Sequence, residues 1–213
     1  MIKAILWDFG GVITTSPFEA FNRYEERHNI PRNFIRGINA TNPTTNAWAQ
    51  FESSRIDMDA FDRKFEEESR LQGHAIPGKD VLALLSGAVR PRMVDALRQC
   101  RRHFKTGCLT NNMKAGEGAA IPQTNRQKAQ FLEIMALFDE VIESSLEGVR
   151  KPDPEIYRIA LSRLDVNAEE CVFLDDLGIN LKPARAMGMQ TIKVLGVDQA
   201  LEALGTSTGL SFA

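Results

Sequence analysis

Asp8 closes the apolar run Ile2-Lys3-Ala4-Ile5-Leu6-Trp7 and is followed closely by Gly10-Gly11. Further along, Thr110-Asn111-Asn112 follows the run from Thr106 to Leu109, Lys151-Pro152 lies beyond Glu140 to Ile142, and Asp175-Asp176 ends the run that starts at Cys171. If these chain positions meet in one crevice, two or three carboxylates repel one another, and the remedies are protonation, a cationic side chain or a metal. A hard, oxygen-ligated ion such as Mg2+ suits such a set, held through one or two carboxylates while waters and substrate phosphate oxygens complete its shell. Lys151 then neutralises what the ion does not. Thr110 and the backbone N–H groups of Gly11 and Asn111 add donors for the peripheral oxygens of a phosphate, and Gly10-Gly11 lets backbone approach a ligand closely. This favours phosphoryl transfer. Asp8 is the candidate nucleophile, because carboxylate attack on phosphorus gives an aspartyl-phosphate and splits a hard hydrolysis into two easier displacements.

The elements that must position these residues are legible as alternation. Short apolar runs at 2–7, 106–109, 140–142, 171–174 and 190–195 read as strands, and helical periodicity covers 93–100, 131–137, 156–164 and 181–187. Strand, helix, strand, helix predicts an α/β fold with a parallel sheet covered by helices. In such a sheet the loops after the strand carboxyl ends form the ligand crevice, which is where every residue named above falls.

Between the first strand and the alternating portion, 17–87 contains no convincing strand and reads as all-helical. Phe61 and Phe65 are spaced i, i+4 and, with Phe51, form an aromatic stripe expected to pack inside this segment. Trp48 is read the same way. The stretch from Lys114 to Asn125, with Gly116, Gly118 and Pro122, is the expected surface loop.

Composition narrows the partners. The 213 residues hold 26 Lys+Arg and 28 Asp+Glu, a net charge of −2, with 43% hydrophobic residues. That balance provides no phosphate-seeking field for nucleic acid. Lys3 and Asp8 interrupt the N-terminal apolar run far short of a spanning helix or signal segment, so no membrane role is expected. Cys100, Cys108 and Cys171 are odd in number and lack metal-type spacing, which fits a reducing, cytoplasmic setting; Cys108 and Cys171, inside apolar strands, read as inert packing residues. Oligomeric state leaves no signature.

The segments Asp8-Phe9-Gly10-Gly11-Val12, Leu109-Thr110-Asn111, Lys151-Pro152-Asp153-Pro154 and Phe173-Leu174-Asp175-Asp176 resemble, in order and separation, the four motifs of the haloacid dehalogenase superfamily. The stretch from Val172 to Arg185 is similar to the N-terminal phosphatase domain of soluble epoxide hydrolase. The resemblance implies a Rossmann-like core (1–16 and 88–213), a helical cap of the C1 type (17–87), and Mg2+-dependent hydrolysis of a small phosphorylated metabolite. It implies Asp8 as nucleophile and metal ligand, the Gly10 carbonyl as a metal ligand, and Thr110 and Asn111 as phosphate holders. Lys151 would offset negative charge. Asp176 is the nearer match to a metal-binding residue, and Asp175 would orient metal-bound water or the lysine; one of the pair can also cap the helix that follows.

One position departs from the pattern. Superfamily phosphatases carry a second aspartate two places after the nucleophile, as acid and then base; here it is Gly10. Such a group contributes about 10² to 10⁴-fold to rate. Three consequences stay open: substrates with good leaving groups such as acyl or sugar-1-phosphates, an acid borrowed from the helical segment, or no phosphatase activity. His28 and His74, that segment's histidines, read as surface residues. The competing functions are a silent binding protein and a 2-haloacid dehalogenase, whose aspartate attacks carbon without the second acid.

Overall fold

The computed structural model describes residues 1–53, 55–85, 87–111 and 125–212. Asn112 and the expected loop lie outside these residues, except Asn125, which begins a helix. The described chain divides into two compact units.

The first unit comprises Met1–Thr15, Ala88–Asn111 and 125–212. Its five strands are β1 (Ala4–Trp7), β2 (Lys105–Thr110), β3 (Glu140–Glu143), β4 (Cys171–Asp175) and β5 (Gln190–Lys193). They form one parallel sheet in the order β3-β2-β1-β4-β5, so the architecture is α/β and Rossmann-like. β1 is central, with Trp7 level with Cys108 on one side and Leu174 on the other. The chain builds outward from β1 through β2 to β3, then returns to place β4 on the other flank. The end of β1 is therefore the point where strand order reverses, and Asp8 stands there.

The expected strand runs agree with the strands to within a few residues at each end. β1 and β4 are buried along their whole length, which explains why they read as continuous apolar runs rather than alternating ones. One sheet face packs Leu6, Leu109, Ile142 and Phe173 against helical residues Ile156, Tyr157 and Leu181 in a single core cluster. Fully burying each large side chain contributes roughly 1.5–3 kcal/mol.

The second unit spans Ser16–Gly87 and is helical: α1 (Pro17–Arg27), α2 (Phe34–Ala40), α3 (Ala47–Glu52), α4 (Met58–Leu71) and α5 (Gly78–Ala83). The aromatic stripe of 51–70 falls on two helices, α3 and α4. Asp57 ends the break between them, its side chain accepting from Ala60 N at 2.8 Å as the N-cap of α4. Phe51, Phe61 and Phe65 are buried in this unit's own core; Phe51 stacks on Phe61 at 4.6 Å, and Trp48 meets Phe61 edge-on at 5.9 Å. The aromatic stripe is packing, as its spacing suggested. Glu25 of α1 is buried and accepts from Asn33 N (2.7 Å) and Ile35 N (2.9 Å), satisfying donors at the start of α2.

The first unit's helices are α6 (Pro91–Cys100), α7 (Asn125–Met135), α8 (Ser144–Glu147), α9 (Pro154–Leu164), α10 (Gly178–Ala186) and α11 (Val197–Thr208). All three cysteines are free and buried. Among the described residues no helix is long and apolar enough to cross a membrane.

Candidate active site

β1 delivers Asp8 to the carboxyl edge of the sheet, where its N–H still donates to Leu174 O of β4 at 2.9 Å. Residues 9–13 then make one wide turn, closed by Thr14 N–H donating to the Phe9 carbonyl at 3.0 Å. Inside it Gly10 has φ −70° and ψ 131°, open to any residue, whereas Gly11 has φ +76°. A Cβ at Gly11 would lie 2.3 Å from Oδ2 of Asp176, while one at Gly10 would meet nothing within 4 Å. Glycine at position 11 thus does more than allow backbone to approach a ligand. Its missing side chain is where the Asp176 carboxylate sits.

Lys151 Nζ is 2.9 Å from Oδ1 of Asp8 and 2.8 Å from Oδ2 of Asp175, and its side chain is 1% exposed. Asp8 Oδ1 also accepts from Phe9 N at 2.7 Å. Oxygens of Asp8, Asp175 and Asp176 all lie within 4.8 Å of one another. Two of these carboxylates, Asp8 and Asp175, share the Lys151 ammonium. Burial pushes the Asp8 carboxyl up to about 8; Lys151 opposes the rise, and Asp175 and Asp176 add to it. Burial also works against charge on Lys151, but the carboxylates of Asp8 and Asp175 outweigh it and hold its pKa above the ordinary lysine value.

The two members of the acidic pair differ in their surroundings. Asp175 is fully buried; Oδ1 accepts from Leu177 N (2.8 Å) and Asn180 Nδ2 (3.1 Å), and Oδ2 from Lys151 Nζ and from Asn180 Nδ2 (3.0 Å). Asp175 is held by donors on both oxygens, whereas Asp176 is half-buried beside Gly11. A cluster of carboxylate oxygens from Asp8, Asp175 and Asp176 is a donor set of the kind that could hold a hard divalent cation.

Of the residues expected at the site, the structure gathers Asp8, Lys151, Asp175, Asp176 and Gly11. Thr110 ends β2 on the strand next to β1 and is 8% exposed. Asn111 follows it, and its side-chain amide is engaged with the backbone of Lys151: Oδ1 accepts from Lys151 N (2.9 Å) and Nδ2 donates to Lys151 O (3.0 Å). Asn180 was not singled out from the sequence, although it is 4% exposed and spans both oxygens of Asp175. Its position in the first turn of a helix just after an acidic pair was the available signal. In the helical unit, exposed His28 stacks on Tyr24 at 4.2 Å and His74 meets Phe34 edge-on at 5.0 Å.

The sequence profile of haloacid dehalogenase-like hydrolases matches residues 2–188. The chain belongs to this family. As a haloacid dehalogenase-like hydrolase it is 32% identical over 218 residues to mouse acyl-CoA dehydrogenase family member 10, covering 97% of this chain and 19% of that protein. It is 31% identical over 224 residues to mouse bifunctional epoxide hydrolase 2, covering 99% of this chain and 40% of that protein. The chain therefore spans less than half the length of these two relatives. Sesquiterpene phosphatase astK of Aspergillus oryzae is 30% identical over 192 residues, covering 88% of this chain and 87% of that one. Among solved structures, a haloacid dehalogenase family enzyme from Bacteroides thetaiotaomicron in complex with magnesium and inorganic phosphate superposes with a TM-score of 0.57 at 21% identity, covering 90% of this hydrolase and 93% of that chain. This likeness extends to the fold.

Proposed function

We propose that the chain is a Mg2+-dependent phosphatase of small phosphorylated metabolites that works through an aspartyl-phosphate on Asp8. The observation that carries the reading is the Lys151 ammonium between Asp8 and Asp175, with the Asp176 carboxylate beside them, at the point where strand order reverses. The name of the fungal relative of matching length, a sesquiterpene phosphatase, supports phosphate esters as the substrate class.

In this mechanism a carboxylate oxygen of Asp8 attacks phosphorus and the bond from phosphorus to the ester oxygen breaks. Water then attacks the same phosphorus, the bond from phosphorus to the Asp8 oxygen breaks, the water's proton is released to solvent or carried off on inorganic phosphate, and the carboxylate is restored. Lys151 offsets charge on Asp8 and on the incoming phosphoryl group. Asp175 holds Lys151, and Thr110 with the backbone N–H groups of Gly11 and Asn111 receives the phosphoryl oxygens. Asp8, Asp176 and the Gly10 carbonyl would hold Mg2+, which when bound would supply charge neutralisation for the phosphoryl group. Position 10 offers no proton to the leaving oxygen, so substrates with good leaving groups, such as acyl phosphates or sugar-1-phosphates, are favoured.

A phosphometabolite panel, screened with and without Mg2+ alongside an activated aryl phosphate, tests the reading. Turnover that requires Mg2+ and disappears in Asp8→Asn is expected. Turnover unchanged by Asp8→Asn would overturn the nucleophile assignment, and no turnover across the panel would favour a silent binding protein.

A further inference from the structure

We propose that Asn111 and Asn180 are positioning residues for Lys151: two amides on different elements that hold its ammonium against Asp8, one from the root of the side chain and the other from its tip. This deepens the phosphatase reading, and only the kinetic arm of the test rests on that reading.

A lysine is a poor choice for a fixed charge unless something fixes it. Its stem is flexible and its three N–H donors have no preferred direction, unlike the planar fork of arginine. Lys151 lies between α8 and α9, outside the sheet, so no strand ladder holds its backbone. The Asn111 amide replaces that ladder. It pairs with both the N–H and the C=O of Lys151 from a position 40 residues earlier in the chain, at the carboxyl end of β2. The orientation of this amide follows from chemistry, since a backbone N–H can only donate and a backbone C=O can only accept. Both ends of the side chain are occupied in this pairing. Asn111 therefore contributes to phosphate binding through its backbone N–H, and its side chain serves Lys151.

At the other end the ammonium needs a carboxylate that does not turn. Asn180 Nδ2 lies 3.1 Å from Oδ1 and 3.0 Å from Oδ2 of Asp175, bridging the two oxygens, while Leu177 N holds Oδ1 at 2.8 Å. Asn180 is itself held, its backbone carbonyl accepting from Tyr157 Oη at 2.6 Å. The amide at position 180 donates to Asp175, where a carboxylate would repel it. Held at root and tip, Lys151 Nζ lies 2.9 Å from Asp8 Oδ1.

A positioning residue acts through the group it positions, so the effects must be non-additive. Asn111→Ala and Asn180→Ala are each expected to lower kcat/KM for an aryl phosphate by about 10- to 100-fold, in the range seen when supporting contacts of a site are removed. In a Lys151→Ala background the same substitutions are expected to change the residual rate by less than about twofold. Equal fold-losses in both backgrounds would overturn the proposal and return the Asn111 side chain to direct substrate contact. A second readout needs no turnover. In protein labelled with 15N-lysine, the Lys151 ammonium, identified by its loss in Lys151→Arg, is expected to exchange protons slowly in the wild type and at least tenfold faster in each asparagine variant, with the far-UV spectrum unchanged. An unchanged exchange rate in both variants would overturn the positioning role. Wild-type protein without turnover would instead count against the phosphatase reading and leave this measurement to decide. If an alanine variant does not fold, near-isosteric Asn111→Leu and Asn180→Leu are read by the same two criteria.

Discussion

Gly11 and Asp176 exclude one another's bulk: a Cβ on residue 11 would stand 2.3 Å from Oδ2 and 2.4 Å from Cγ of the Asp176 side chain. The φ of +76° adds backbone strain for any residue but glycine. Gly11→Ala must therefore shift the carboxylate or the turn. The expected outcome is a loss of about 10- to 100-fold in Mg2+ affinity, with the fold retained. Mg2+ titration followed by calorimetry and by activity checks it; unaltered affinity would separate Asp176 from the metal.

Asp8 links stability to pH. Its folded pKa is raised from an ordinary 3.8 to about 8 by burial, so the folded state holds a proton that the unfolded chain releases at lower pH. Below about pH 4 both states are protonated and this group costs nothing. Through the window from there to about pH 8 stability falls, with the full cost, on the order of a few kcal/mol, present above it. Lys151 runs the other way in pH: its contribution is complete below the ordinary lysine pKa of 10.5 and is lost only as pH rises through its raised folded value. Metal-free protein is thus expected to lose Tm between pH 5 and pH 9, and Asp8→Asn to flatten that slope. Thermal unfolding in chelator across this range reads both; parallel slopes would reject the assignment of the slope to Asp8.

Gly10→Asp tests the missing acid without confounding strain. The backbone at position 10, φ −70° and ψ 131°, accepts any side chain, and a Cβ there meets nothing within 4 Å. The variant is expected to fold normally and to raise kcat on alkyl phosphates by at least about tenfold, with little change on an activated aryl phosphate. A uniform change across leaving groups would mean that proton donation does not limit the rate.

Glu25 carries the start of α2 from its neighbour α1. Its buried carboxylate accepts from Asn33 N and Ile35 N, and Glu25→Ala leaves both donors without it. Charge-assisted bonds of this kind contribute about 1.5–3 kcal/mol each, with incomplete additivity. A loss of about 3 kcal/mol in urea unfolding of the full chain is expected, while Mg2+ binding in the folded protein is unchanged.

The sheet and the placement of residues at its carboxyl edge were legible because their signals are local. β1 and β4 are buried end to end, so each appears as an apolar run, and a parallel sheet places the residue that ends each run at the same edge. The helices were legible through period, with their ends displaced where caps such as Asp57 decide the boundary. What escaped is the work of the neutral amides. An asparagine carries no charge to mark it, and the contacts of Asn111 and Lys151 join positions 40 residues apart.

By itself the amino-acid sequence determined which groups stand at the carboxyl edge: Asp8, Thr110, Asn111, Lys151, Asp175 and Asp176, each ending or following an element whose pattern is written in consecutive residues. Only the tertiary structure decided which of them holds which. It placed Lys151 between Asp8 and Asp175, engaged the Asn111 side chain with the backbone of Lys151, gave Asp175 to Asn180, and seated Asp176 in the space left by Gly11. The reason is physical: hydrogen bonds and excluded volume act over a few ångströms in space, between residues whose separation along the chain carries no periodic trace.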